Sequence, residues 1–354
     1  MNICPDYKRI LTAIHRQEPD RVPLAELHVD TAVKEGFLGK PVRTVQDDVE
    51  FWHRAGYDYI YLRPAYEYHG VDMAVASGTP MMLKSSADAD RSLNSVSTMS
   101  ECTIKERSDM EDYPWPDPDT IDYSNIVEAA EYLPEEMGII SGVGGIFTRV
   151  WNLMGYERFC LAQIEDPEFI AAMFERVGKI QTEVLRRIIK MKQVFAIWYG
   201  DDLAYTESLM SSPPFFRQYL FPWIEELASI AHNANMPFIM HSDGKLWDIL
   251  PDLIALGLDA LQPIEPKAMD IKEVKEKYGD KLALFGNIDL TFPLCTGTPE
   301  DVRLEVRQKI KDLAPRGGYA LGSSCSVARY VPAENYRAMI EAVFEFGEYP
   351  IRIK

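Results

Sequence analysis

The feature that most constrains this chain is a repeated alternation. Short, continuous apolar runs recur along it, separated by longer stretches with helical spacing. The runs are RVPLAEL from Arg21, DYIYLRP, MGIISGVG, VFAIWYG, PFIMH, DALQPIE, LALFGNID and GGYALGSS. At least one helical stretch lies between each consecutive pair, as in TVQDDVEFWHRAGYD, SNIVEAAEYL, FFRQYLFPWIEELASIAHNA, KLWDILPDLIALG, DIKEVKEKYG and AENYRAMIEAVFEFG. Strands that read as unbroken apolar runs are covered on both faces, which is the habit of parallel sheets. Eight such units in 354 residues predict a (β/α)8 barrel of the TIM type. A doubly wound sheet would need a glycine-rich phosphate loop after an early strand, and GVGG at 142–145 is too late and too short for that. The expectation is therefore α/β, one barrel domain over residues 1–354.

Two features decorate that frame. An N-terminal helical extension is expected over Asp6–Gln17, where Tyr7, Ile10, Leu11 and Ile14 share a face. After the second strand the rhythm is interrupted at about residues 70–120, a stretch rich in Ser, Thr, Met and Asp that closes with YPWPDPD. This reads as an insertion rather than a separate domain, with Met73, Val75, Met81 and Met82 to pack it down. The long helical stretch from Tyr156 to Met191 should break at Asp166-Pro167.

Composition narrows the partners. Lys and Arg total 37 against 55 Asp and Glu, a net charge of −18, with no basic run. Nucleic acid and anionic membrane surfaces would be repelled, so a small molecule or a partner protein is expected. Five scattered cysteines make no disulfide framework. The opening MNICPDYKRILTAIHRQEPDRVP has no basic segment leading into an apolar run, and no apolar run is long enough for a membrane span. A cytoplasmic protein is expected, with a homodimer as the default association.

Barrels of this type place their chemistry at the C-terminal ends of the strands. There the sequence offers Glu26 and His28, Arg63 and Tyr66, the glycines of SGVGG, and Asp201, Asp202, Tyr205 and Glu207. Beyond these come His241 and Asp243, Glu265, Asn287 and Asp289, and Ser323, Ser324 and Cys325. Asp289 and Ser324 read as helix caps or turn formers. His241 follows a buried strand and precedes a Ser-Asp-Gly turn, so it is either a satisfied strand-end histidine or a metal ligand. With Cys325 and Glu265 on the same rim it would complete an N, S, O donor set suited to Zn2+. Cys4, Cys102, Cys160 and Cys295 read as structural. The aromatic residues Tyr66, Tyr68, Trp198, Tyr199 and Tyr205 divide between core and a wall for a flat or methylated ligand.

Several stretches carry a resemblance beyond the strand count: DRVPL, YPWPDPD, GDDLAYTESLMSSPPFFRQYLFPWIEEL, HSDG, GLDALQPIEPKAMDIKEVKEKYGDKLALFGNID and GGYALGSSCSVARYVPAENYRAMIEA. In these the chain resembles the uroporphyrinogen decarboxylase superfamily over nearly its whole length. The resemblance implies a distorted (β/α)8 barrel and one of two chemistries. The decarboxylases use an Arg-Gln-Ala-Gly-Arg loop and an aspartate from a Ser-Asp-Ile stretch. Here LAELHVD follows RVP, and YLRPAYE stands where that aspartate would be. The cobamide-dependent methyltransferases hold zinc with a His-x-Cys on strand five and a late cysteine. His241 matches the histidine and Cys325 the late cysteine, while Asp243 replaces the middle cysteine.

The resemblance thus implies a zinc-dependent methyltransferase that moves a methyl group between a small substrate (a methyl ether, amine or thiol) and a corrinoid. The corrinoid would ride on a separate protein, since the chain has no D-x-H-x-x-G motif. His241, Cys325 and either Asp243 or Glu265 would hold zinc. Asp202 and Glu207 would act with His241 in catalysis, and His28, Tyr205, Trp198 and Asn287 would face the substrate. A carboxylate in place of a thiolate hardens the metal and favours oxygen ligands. The alternatives are a lyase acting on a tetrapyrrole or other acidic molecule, with Arg63, Arg149 and Arg329 as its candidate cations, and a non-catalytic corrinoid- or metal-binding protein.

Overall fold

The computed structural model describes residues 4–66 and 103–353. Its frame is a curled, all-parallel sheet of seven strands in the order β1-β2-β3-β4-β5-β6-β7, consistent with a TIM-type barrel. The strands are β1 (Tyr59–Leu62), β2 (Gly138–Ser141), β3 (Val194–Gly200), β4 (Phe238–His241), β5 (Ala260–Gln262), β6 (Ala283–Phe285) and β7 (Tyr319–Ala320). Each pairs with its successor in the chain, and each lies within a run read as a strand from the sequence.

The eighth expected strand, RVPLAEL, is a correction. This segment is extended but forms only isolated bridges: Leu24 to Leu321 in parallel, and Arg21 to Glu348 antiparallel. On the β7 side Ala25 N–H donates to Leu321 C=O, and Leu321 N–H donates to Pro23 C=O. Pro23 has no N–H to extend the ladder. On the β1 side the backbone of Glu26 bonds to a side chain instead. Its N–H donates to the Tyr59 hydroxyl, which donates in turn to the Glu26 carbonyl, both at 2.8 Å. One phenol therefore occupies the place of a strand partner.

The helices follow their local signals. Asp6 caps Tyr7–Ile14, and Thr44 forms a capping box with Asp47 at the start of Val45–Arg54. The long stretch after Tyr156 does break at Asp166, which caps Pro167–Ile188. The stretch beginning at Phe215 divides at Leu220 into Pro213–Tyr219 and Phe221–Asn233, with Pro222 in the first turn of the second helix. Among the helices without a counterpart in the sequence reading are Arg107–Asp112, inside the stretch expected to be an insertion, and Leu290–Cys295, together with two that pack on the barrel. Thr31–Leu38 carries an interior glycine that weakens its signal. Ile146–Met154 is buried at every position except Asn152, so it has no polar face to create a period. Tyr68, Met73, Val75, Met81, Met82 and Cys102 lie outside the described residues. No helix among the described residues is long and apolar enough to cross a membrane.

The interior is aromatic. Trp198 is fully buried, with its ring against Tyr59, Tyr61 and Phe285 at centroid distances of 6.4, 5.9 and 5.9 Å. Beside it, Asp201 at the end of β3 gathers the start of helix Ile146–Met154. It accepts Phe147 N–H at 2.9 Å, Thr148 N–H at 2.8 Å, the Thr148 hydroxyl at 2.7 Å, and the Tyr199 hydroxyl. The glycines of SGVGG make this approach possible, since a Cβ on Gly145 would sit 2.2 Å from the Asp201 carboxylate. That glycine-rich loop therefore serves close packing. We expect Asp201→Ala to cost about 3 kcal/mol, because four buried donors lose their acceptor. Chemical denaturation measures it, and a change within about 0.5 kcal/mol would contradict this role.

Candidate metal centre

The site is built by register. Gly200 pairs with His241 across β3 and β4, and His241 pairs with Gln262 across β4 and β5. The three strands then leave the sheet side by side. Asp201 N–H donates to His241 C=O at 2.9 Å, and Ser242 N–H donates to Gln262 C=O at 3.0 Å. Leu203 N–H donates to the Ser242 hydroxyl at 3.0 Å. Asp202 and Asp243 are thereby set on either side of the imidazole. Gly244 closes the turn at φ 87°, where a Cβ would meet the Ala204 carbonyl oxygen at 2.5 Å, so glycine is required there.

Asp202, His241 and Asp243 each present one ligand atom, and these atoms all lie within 4.8 Å of one another. His241 Nε2 is 3.6 Å from Asp202 Oδ1, which also accepts Asp243 N–H at 3.0 Å. The Cys325 thiol reaches the group from the far side of the rim, with Sγ 3.3 Å from Asp243 Oδ2. Burial holds the Asp243 carboxyl well above the usual carboxylate range, and Asp202 adds to the rise. Burial, with Asp243 and Asp202 nearby, also pushes the Cys325 thiol up. A cation bound here would displace the Cys325 proton and the proton that Asp243 part-holds near neutral pH.

Two atoms in this group are buried and without a hydrogen-bond partner among the described residues: His241 Nε2 and Asp243 Oδ1. Buried polar atoms of native proteins are usually paired, and here two unpartnered ones belong to residues whose ligand atoms cluster, an arrangement that a bound cation would satisfy. The other imidazole nitrogen explains which atom is offered. Nδ1 lies against Gln262 Oε1 at 2.5 Å. An amide oxygen accepts only, so Nδ1 carries the proton and Nε2 presents its lone pair to Asp202 and Asp243. A partner on the far nitrogen is how metal-ligating histidines are oriented. Together with Cys325 this donor set of nitrogen, carboxylate oxygen and sulfur fits zinc.

The remaining rim residues separate from this group. Glu265 accepts the Thr206 hydroxyl at 3.0 Å on one oxygen and Gly244 N–H at 3.1 Å on the other. Glu207 is exposed, and Tyr205 is 46% exposed on the same loop. Asn287 is buried, with its amide donating to Ile264 C=O at 2.6 Å and accepting from Lys309 at 2.8 Å. Both ends of that side chain are engaged in joining strand ends. His28 is half-buried, and burial lowers its imidazole to about 4, which keeps it neutral. Trp198 fills the barrel interior as described above. The sequence reading does not include Gln262, although it is the one polar side chain in the run A-L-Q-P-I. If Gln262 sets the tautomer, Gln262→Leu should weaken zinc binding roughly 10- to 100-fold in a chelator competition. Unchanged affinity would remove that role.

Comparison with known proteins agrees in family. Residues 65–346 match the family model for uroporphyrinogen decarboxylase (URO-D). A methylcobamide:CoM methyltransferase, MtaA, from Methanosarcina barkeri is 27% identical over 230 residues, covering 62% of this chain and 63% of that protein. A uroporphyrinogen decarboxylase from Alcanivorax borkumensis is 26% identical over 187 residues, 51% of this chain and 50% of that protein. The chain thus spans less than two thirds of the length of each of these two relatives. Among solved structures, a methyltransferase from Methanosarcina mazei superposes with a TM-score of 0.67 at 19% identity, covering 96% of this chain and 98% of that one. That likeness supports the fold.

Proposed function

The chain belongs to the uroporphyrinogen decarboxylase family, and within it we propose a zinc-dependent, corrinoid-linked methyltransferase. The observation that carries this reading is the pair of unpartnered ligand atoms on His241 and Asp243, set beside Asp202 and the Cys325 thiol. A decarboxylase acting on a polyacid needs cations at the strand ends; Arg63 and Arg149 lie near Tyr61, but the group around His241 is acidic, with Asp202 and Asp243. The methyltransferase relative from Methanosarcina barkeri supports the same branch.

His241 Nε2, Asp243 and Cys325 would hold the metal, with Asp202 as the further oxygen donor. Zinc bound there would supply a Lewis acid that stabilises the negative charge on a demethylated oxygen or sulfur. The chain's own part is position and protons. Gln262 fixes the imidazole in one tautomer and one plane. Asp202 accepts the Asp243 backbone N–H, so the two carboxylates move as a unit with the turn. The Cys325 thiol keeps its proton in the free site and releases it on metal binding. The donor set is richer in oxygen than one with two thiolates. It suits a small oxygen-bearing methyl substrate, such as a methyl ether, better than a thiol. The methyl group would be exchanged with a corrinoid carried on a partner protein that meets the barrel at the same rim.

His241→Ala should abolish methyl transfer with free methylcobalamin as the corrinoid while leaving the melting temperature within a few degrees of wild type. Its side chain faces the mouth and bonds to Gln262 alone, so little stability is lost with it. Paired melts and transfer assays decide the matter. A variant that melts far lower yet transfers at the wild-type rate per folded molecule would contradict the reading.

A further inference from the structure

Glu26 lies outside the metal group, on the segment that stands in for the eighth strand. It is fully buried, a rare position for a carboxyl group. Ser323 N–H donates to its Oε1 at 2.6 Å, and the Ser323 hydroxyl lies 2.7 Å from its Oε2. The same hydroxyl also contacts the carbonyl oxygen of Cys325. Ser323 is thus placed between a carboxyl group and the backbone of the residue whose thiol reaches the metal group.

The protons in this chain can be counted. The contacts run from Glu26 Oε2 to Ser323 Oγ and on to Cys325 C=O. A serine hydroxyl has one proton, and a carbonyl oxygen has none. With an ionised Glu26 there is one proton for two contacts, and one pair of oxygens meets lone pair to lone pair. With a neutral Glu26 the carboxyl O–H donates to Ser323 Oγ, whose own proton goes to the Cys325 carbonyl. Both contacts are then hydrogen bonds, and Oε1 still accepts Ser323 N–H.

The surroundings agree. The titratable groups that act electrostatically with Glu26 are the phenols of Tyr57, Tyr59 and Tyr336, each itself raised by burial and so neutral. Tyr57 and Tyr336 bond to each other at 2.6 Å, and Tyr59 is engaged by the Glu26 backbone. No cation among the described residues acts on the carboxyl group, and burial pushes it up to about 8 against the pull of the hydrogen bonds from Ser323.

We propose that Glu26 is a neutral carboxylic acid that serves as a hydrogen-bond donor to Ser323 and thereby positions the loop bearing Cys325. The proposal rests on the metal reading for its functional consequence, though the protonation itself does not. Glu26 is a positioning residue: it acts on the metal group only through Ser323 and the backbone of Cys325.

The glutamine variant separates the two states of the acid. The amide of Glu26→Gln reproduces the neutral form, with an oxygen to accept Ser323 N–H and an NH2 to donate to Ser323 Oγ. Zinc affinity is measured with zinc alone against a chromogenic chelator, for wild type, E26Q and E26A, at pH 7 and pH 9. Terms from the ligands are common to all three proteins and cancel in the ratios. At pH 7, E26Q should match wild type, and E26A should bind about tenfold more weakly through its loosened loop. At pH 9 wild type should fall about tenfold relative to E26Q as its acid ionises. An E26Q protein that loses zinc as E26A does, or a wild-type to E26Q ratio that does not change with pH, would overturn the proposal.

Melting temperatures without metal provide a readout independent of zinc. A folded-state acid raised above its ordinary value contributes stability at low pH that is lost as pH rises through the raised value. Wild type should therefore fall relative to E26Q between pH 6 and pH 9. That result in a protein that binds no zinc would keep the neutral acid and remove the metal reading. Parallel melting curves would remove the neutral acid.

Discussion

The candidate site turns on how one imidazole is held. His241 sits at the last position of β4, with its Nδ1 against Gln262 on β5 and its Nε2 toward Asp202 after β3. That arrangement requires the register Gly200 to His241 to Gln262. A shift of one residue in either pairing would turn an end residue to the opposite face of the sheet. The apolar strands and their covering helices fix the register, so the core determines where the polar atoms of the rim converge. Fold and site are thus two consequences of one pairing pattern.

The same rim shows how burial and chemistry are shared among its carboxyl groups. Asp201 is spent on a helix start, and Glu265 on a threonine and a turn. Glu26 holds the backbone near Cys325 through Ser323. Asp202 and Asp243 alone among these face His241. Five acidic groups at strand ends look alike in a sequence, but each differs in what its oxygens already accept. A carboxyl oxygen that lacks a partner is the one most open to a ligand, and Asp243 Oδ1 is such an atom.

This explains which parts were legible from the sequence. The alternation of apolar runs and helical stretches located seven strands, because burial on both faces leaves a signal in composition. It placed an eighth at Arg21–Leu27, where Pro23 and the Tyr59 hydroxyl replace ladder bonds that no periodicity reports. Helix Ile146–Met154 was hidden because it is buried nearly all round. Rim position and family resemblance single out His241, Cys325 and Asp243 as candidates. Glu265 was considered beside Asp243 as a ligand, and only the bonds to Thr206 and Gly244 tell them apart. Gln262 was overlooked because a lone polar residue inside an apolar strand looks like an exception to the pattern rather than a partner for the next strand.

The central claim is that Asp202, His241, Asp243 and Cys325 form one metal site. X-ray absorption at the zinc edge on the zinc-loaded protein tests it most directly, because it reads the donor atoms themselves. The account predicts one sulfur at about 2.3 Å with the remaining nitrogen and oxygen donors at about 2.0–2.2 Å, and loss of the sulfur shell in Cys325→Ser. A spectrum without sulfur, with two or more sulfurs, or unchanged by Cys325→Ser would contradict it.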